Sequence, residues 1–189
     1  MASDTAVWTA NDLDSLPDDG NRYEVVGGEL FVTPAPSIRH QALQAALFRH
    51  LDAHVRANGL GRVFCAPADL PVNARNRVQP DLLVLPYAPG APGLLPASWA
   101  DAPRPLLVVE ILSHTTARRD RHAKRELYVS SGIPTYWMVD GDAREVVVVR
   151  PGERDASCRH RLEWKPEGGE ALSIDLVELF AGVLGAAGH

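Results

Sequence analysis

Two carboxylates stand where carboxylates are costly. Asp81 follows Pro80 inside the apolar run Val78-Gln-Pro-Asp-Leu-Leu-Val-Leu85, and Glu110 interrupts Leu106-Leu-Val-Val-Glu-Ile-Leu112. An ionised carboxylate in such surroundings needs a partner or a metal. Each alone reads equally well as a strand-end residue reaching solvent or an arginine. Together, on strands that are neighbours, they point to shared coordination of a hard cation, Mg2+ or Mn2+, through oxygen ligands. Lys124 is a candidate third member. From Glu110 the chain runs forward for roughly 16 Å at strand rise, and a helix folded back onto that strand recovers roughly 13 Å by Lys124. That brings the lysine near the level of Glu110, although a solvated lysine on the helix face satisfies the same pattern. Asp120, one turn earlier, is placed to steady it.

The elements that must position these residues are legible from periodicity. Arg22 to Val32 forms two β-prone arms around Gly27-Gly28, the signature of a hairpin. Ser37 caps a helix from Ile38 to about Ala57, with Leu43, Ala46, Leu47, Leu51 and Val55 on one face and Asn58-Gly59 at its end. Strands are expected over Arg62–Val72, Val78–Leu85 and Leu106–Leu112, the last two apolar enough to be covered on both faces. A second helix opens at Thr115 or Thr116 and runs to about Ser131, stopped by Gly132-Ile133-Pro134. Strands at Thr135–Asp140, Glu145–Arg150 and about Arg159–Trp164 follow, then a short helix over Ile174–Phe180. Tyr87 to Pro105, dense in Pro and Gly, is a long loop inside the domain. The expected fold is α/β, a core of helix, three strands, helix and strand with accessory β-strands at both ends. Residues 1–20 read as an N-terminal extension, 21–180 as one domain and 181–189 as a tail.

Four separated stretches, RYEVVGGEL, PAPSIRHQ, VQPDLLVL and LVVEILSHTTARRDRHAKRELYVSSGIPTYWMVD, resemble the Uma-type putative restriction endonucleases, a branch of the PD-(D/E)XK nuclease superfamily. The resemblance spans roughly residues 8 to 180. It implies a restriction-endonuclease-like core, a carboxylate-bound Mg2+ (with Mn2+ able to substitute), DNA as substrate and a homodimer that cuts two strands. Pro80-Asp81 matches the PD element and Glu110 the acidic position of (D/E)XK. The usual lysine position holds Leu112, and Lys124 on the following helix is the matching residue. Asp81 and Glu110, with the Ile111 carbonyl, would hold the cation, and Lys124 would orient water or neutralise developing charge.

Other residues carry weaker signals. Glu29 and His40 match family positions and read as further metal ligands or phosphate contacts, or as a hairpin charge and a helix-edge residue. Glu24 is the rival to Glu29, since strand alternation sets the two on opposite faces unless the turn changes the register. Arg118, Arg119, Arg121 and Arg125, with His122, form a basic run that either tracks a nucleic-acid backbone or is a solvated face. His50 and His54 lack the glutamate of a zinc-protease motif and read as surface residues, and Tyr128, Tyr136 and Trp137 as core aromatics. No phosphate-binding glycine loop or serine-hydrolase elbow is present.

Composition sets the outer bounds. A net charge of -5 argues against extensive coating of DNA. Cys65 and Cys158, in no metal or redox spacing, read as free thiols of a cytoplasmic protein. The first residues lack the pattern of a signal peptide, and no apolar run reaches the ~20 residues of a membrane span. The functional expectation is a Mg2+-dependent endonuclease acting on DNA. The alternatives are a catalytically inactive nucleic-acid-binding or assembly module of the same fold, or a nuclease for RNA or unusual structures.

Overall fold

A computed structural model of the chain describes residues 7–88, 90, 91 and 93–186. In chain order the strands are β1 (Arg22–Val26), β2 (Glu29–Thr33), β3 (Gly61–Cys65), β4 (Leu70–Asn73), β5 (Asn76–Val78), β6 (Leu82–Pro86), β7 (Leu107–Ile111), β8 (Tyr136–Asp140), β9 (Glu145–Val149), β10 (Ala156–Cys158), β11 (Arg161–Trp164) and β12 (Leu172–Asp175). The helices are α1 (Ile38–Ala57), α2 (Ala117–Arg119), α3 (Arg125–Ser130) and α4 (Leu176–Leu184). A π-helical turn, Asp120–Lys124, joins α2 to α3 without a break.

A six-stranded mixed sheet, ordered β10-β9-β8-β7-β6-β3, separates two apolar cores. Its strands are antiparallel except for β7 and β8, which run parallel because the helical crossover over 117–130 connects them. On one face pack α1, α4 and the β11–β12 hairpin, burying Leu47, Leu51, Val55, Trp164 and Phe180 against Leu82, Val84, Leu107 and Val109. On the other face pack α3 and a four-stranded sheet ordered β2-β1-β5-β4, burying Val26, Leu70, Val78, Leu127 and Tyr128 against Leu83, Leu85, Val108 and Tyr136. The expected core of helix, three strands, helix and strand is therefore present as α1, β3, β6, β7, the 117–130 helix and β8.

Local chemistry explains the elements. The Ser37 side chain accepts from the His40 amide at 3.2 Å, and α1 turns Leu43, Ala46, Leu47, Leu51 and Val55 inward. Gly27 and Gly28 take φ of 62° and 85°, the double left-handed turn that a two-residue hairpin needs. At Gly61 a Cβ would stand 1.8 Å from the Leu85 carbonyl oxygen, so only glycine lets β3 lie this close to β6.

Three expectations need correction. Arg62–Val72 is not one strand: β3 belongs to the large sheet and β4 to the small one. Val78–Leu85 likewise divides, with β5 in the small sheet and β6 in the large. Pro80 lacks the amide a continuing ladder requires, so the chain changes sheets at Gln79–Asp81. Ile174–Phe180 is the end of β12 followed by α4, which continues to Leu184 and so into the expected tail. The described part of the expected N-terminal extension is docked: Trp8 and Ala10 amides donate to the Gly28 and Ala74 carbonyls, and Ala10 is buried. Readings that fall on residues 1–6, 89, 92 and 187–189 lie outside the described residues. No described helix is long and apolar enough to cross a membrane.

Leu51 lies at the centre of the α1 core and is fully buried. Leu51→Ala should lower the unfolding free energy by about 2–5 kcal/mol, read from urea unfolding, through lost transfer energy and the cavity left behind. A loss below about 1 kcal/mol would mean that this core does not hold the helix.

Candidate active site

The division of the chain at Gln79–Asp81 puts Asp81 at the head of β6. In the β6–β7 ladder Leu82 stands opposite Val109, so the register carried one residue further sets Asp81 beside Glu110. Alternation gives both the face of Leu83 and Val108, towards the small sheet and the 117–130 helix. Asp81 Oδ2 accepts the Ile111 amide at 2.8 Å, and the Gln44 side chain donates to the Asp81 carbonyl at 2.7 Å. Both carboxylates line a cleft of about 420 Å3 at the end of the sheet, together with Arg22, Ser37, Arg39, His40 and Ile111.

Behind Glu110 lies a buried ionic cluster. Lys124, 0% exposed, places Nζ 2.6 Å from Glu110 Oε1 and 2.7 Å from Glu24 Oε1, with Asp120 at 3.9 Å. Glu110 Oε1 also accepts the Tyr128 hydroxyl at 2.8 Å. Glu24 accepts the Gln79 amide at 2.7 Å, and its second oxygen lies 3.1 Å from Arg119, an ion pair without a well-aligned hydrogen bond. The π turn makes this cluster possible. Four residues along an α-helix overshoot one turn by about 40°, whereas the wider turn holds Thr116, Asp120, Lys124 and Tyr128 in one buried row.

The two cleft carboxylates are driven apart electrostatically. Burial works against the charge on Asp81, but His40, Arg22 and the Ile111 amide outweigh it and hold its pKa at about 2. Burial pushes Glu110 up to about 8. Lys124 opposes that shift, while Asp120, Asp81 and Glu24 add to it. Glu24 shares the same lysine yet moves the other way. Its burial is outweighed by Lys124, Arg119 and the Gln79 amide, and no second carboxylate dominates its surroundings. Glu110 is thus the cleft carboxylate whose ionisation the surroundings resist, and Asp81 the one whose ionisation they favour.

The site brings together Asp81, Glu110, Lys124, Asp120 and His40. His40 Nε2 is 3.1 Å from Asp81 Oδ1, close enough for charge pairing but without an aligned hydrogen bond, and its partly buried side chain lines the cleft. Lys124 meets Glu110 from the buried side and does not line the cleft. Glu29 is not part of the site: the two-residue turn pairs it with Val26, so it shares the face of Glu24 after all, but it is exposed at the hairpin end while Glu24 is buried. The basic run is mostly neutralised. Arg119 pairs with Glu24 and Asp120, Arg121 with Asp140 at 2.7 Å, and Arg125 with Asp155 at 2.6 Å, whereas Arg118 is exposed. Arg22, 2.8 Å from Asp81 Oδ1, was not anticipated. Its signal is the strand period, since Arg22 lies two residues before Glu24 and so shares its face.

Among the described residues no three His, Cys, Asp or Glu side chains converge as a metal cage. Two adjacent carboxylates on an open cleft nevertheless suit Mg2+, which keeps several waters and takes one or two protein carboxylates. The raised Glu110, and a His40 Nε2 that lies 3.1 Å from Asp81 Oδ1 without an aligned hydrogen bond, are consistent with a site that gains from added positive charge.

Comparison with known proteins bears on the fold and the family. No curated protein compared with the chain is significantly similar to it. A crystal structure of a "putative nuclease belonging to DUF820" from Anabaena variabilis superposes with a TM-score of 0.71 at 20% identity, covering 93% of this chain and 98% of that one. At that identity the likeness establishes the fold, an α/β architecture with a restriction-endonuclease-like core. Residues 10–181, nearly the whole chain, match the family Uma2, described as "Putative restriction endonuclease". The chain therefore belongs to the Uma2 family of putative restriction endonucleases.

Proposed function

We propose that the chain is a Mg2+-dependent endonuclease that hydrolyses phosphodiester bonds in DNA and works as a homodimer. The observation that carries the reading is the side-by-side placement of Asp81 and Glu110 on one cleft wall, with Arg22 against Asp81 and Lys124 behind Glu110. Asp81 and Glu110, with the Ile111 carbonyl at the same wall, are the residues that would hold the cation. A divalent cation there supplies acidified water and stabilises charge on the phosphate undergoing attack.

The chain's own groups do the rest. Asp81 is held ionised by Arg22, His40 and the Ile111 amide, so it presents a charged ligand at any neutral pH. Lys124 and Tyr128 fix Glu110 Oε1 from the protein interior and so orient the carboxylate. In this arrangement Lys124 is a positioning residue that acts through Glu110. Glu24 holds Lys124 from the far side, and Asp120 adds a longer-range carboxylate to the same ammonium. Arg39 and Ser37 also line the cleft and would be available to a substrate phosphate.

Purified protein with Mg2+ or Mn2+ should nick plasmid DNA, and Asp81→Ala should abolish nicking. Cleavage that survives in this variant would sink the assignment. Because Arg121 and Arg125 already hold carboxylates, replacing both with Gln should leave the salt dependence of DNA binding unchanged. A shallower slope would restore them as a phosphate track.

Proton linkage gives a further expectation. The pKa of Glu110 rises from 4.5 to about 8 on folding, so between those values the folded chain binds more protons than the unfolded one. Stability must then fall as pH rises through that window. In chelator the melting temperature should drop from about pH 5 to about pH 8. Glu110→Gln should remove that component, and divalent cation should offset it. A wild-type profile no steeper than that of Glu110→Gln would refute the linkage.

A further inference from the structure

Four carboxylates meet around the cleft and its floor, Asp81, Glu110, Glu24 and Asp120, but their cations are distributed unevenly. Lys124 is shared between Glu110 and Glu24, and Arg119 between Glu24 and Asp120. Moving either would take a counter-charge from two buried carboxylates at once. Arg22 pairs with Asp81 alone. Its Nη1 donates to Asp81 Oδ1 at 2.8 Å and to the Gln79 carbonyl at 3.2 Å, while Nε is buried without a partner and the side chain lines the cleft. One guanidinium thus occupies the oxygen that a cation would ligate, and its Nε is left without a partner.

We propose that Arg22 is an exchangeable counter-ion. It neutralises Asp81 in the cation-free chain, and when a divalent cation binds it leaves that oxygen and takes a phosphate oxygen of the substrate. The proposal rests on the nuclease reading and deepens it. An imidazole such as His40 can share a carboxylate with a cation or ligate it, whereas a guanidinium has no acceptor and is repelled by the incoming charge. Its planar fork matches phosphate oxygens in two-point contact. Exchange keeps the cleft balanced at each stage: guanidinium on Asp81 before loading, cation on Asp81 and guanidinium on phosphate afterwards. Cation and substrate binding are thereby coupled through one side chain.

The test reads binding rather than cleavage. Calorimetry should show Arg22→Gln binding Mn2+ roughly tenfold more tightly than wild type, because a competing positive charge is gone. The same variant should lose roughly tenfold or more in affinity for a short DNA duplex in Ca2+, while duplex affinity in EDTA changes little. A residue with only a structural role would not move the two affinities in opposite directions. If Arg22→Gln does not fold, Arg22→Lys serves, since it keeps the charge without the fork: Mn2+ affinity near wild type with weakened duplex binding in Ca2+. Mn2+ affinity unchanged or weakened in Arg22→Gln, or duplex affinity in Ca2+ unaltered in either variant, overturns the proposal. Mn2+ binding that is lost in Asp81→Ala but indifferent to Arg22 overturns this proposal alone. A wild type that binds no Mn2+ overturns the nuclease reading with it.

Discussion

A single ammonium group, Lys124 Nζ, joins the parts of the molecule that carry the site. It is fully buried between Glu110 of β7 and Glu24 of β1, so the large sheet, the small sheet and the crossover helix meet at one charge. Desolvating an ammonium costs several kcal/mol unless hydrogen-bonded partners repay it, and here two carboxylates do so at short range. Losing one member of such a cluster leaves a buried charge uncompensated, which costs far more than the intact pair contributes. The geometry of Glu110 is consequently inherited from three separate elements, and none of them can shift without disturbing the carboxylate that faces the cleft.

The same cluster divides labour between the two cleft carboxylates. Asp81 is given a nearby guanidinium, an imidazole and a backbone amide, all favouring the anion. Glu110 is given one lysine that it must share, and three carboxylate neighbours that resist its ionisation. Neighbouring groups of the same chemical type thus respond to protons in very different ranges. A site with surplus carboxylate charge is also one in which a dication is favoured over a monovalent ion, because each added positive charge relieves repulsion already present.

Much of this was legible in the sequence because it follows from short-range rules. The α1 stripe, the Gly27-Gly28 hairpin and the apolar strands interrupted by Asp81 and Glu110 each announce themselves within a dozen residues. The return of Lys124 to the level of Glu110 follows from comparing strand rise with helix rise. What escaped depends on which sheet a strand joins. Nothing local distinguishes β5 from β6 except Pro80, and reading Val78–Leu85 as one strand hid the change of sheet that delivers Asp81. The inward roles of Arg22 and Glu24 depend on the hairpin docking, a contact between segments far apart in sequence. The arginines of the second helix show the reverse problem. Their density suggests a basic surface, but Asp140 and Asp155, distant in sequence, cancel much of it.

The position of Glu24 on the first hairpin has a consequence for how the molecule is made. Its pairing with Lys124 closes a loop of about a hundred residues, a long-range contact whose entropy cost falls on folding rather than on the finished structure. A chain leaving the ribosome presents the glutamate long before its lysine exists. A nascent fragment that ends before the crossover helix lacks both Lys124 and Tyr128, the two side chains that donate to Glu110 Oε1.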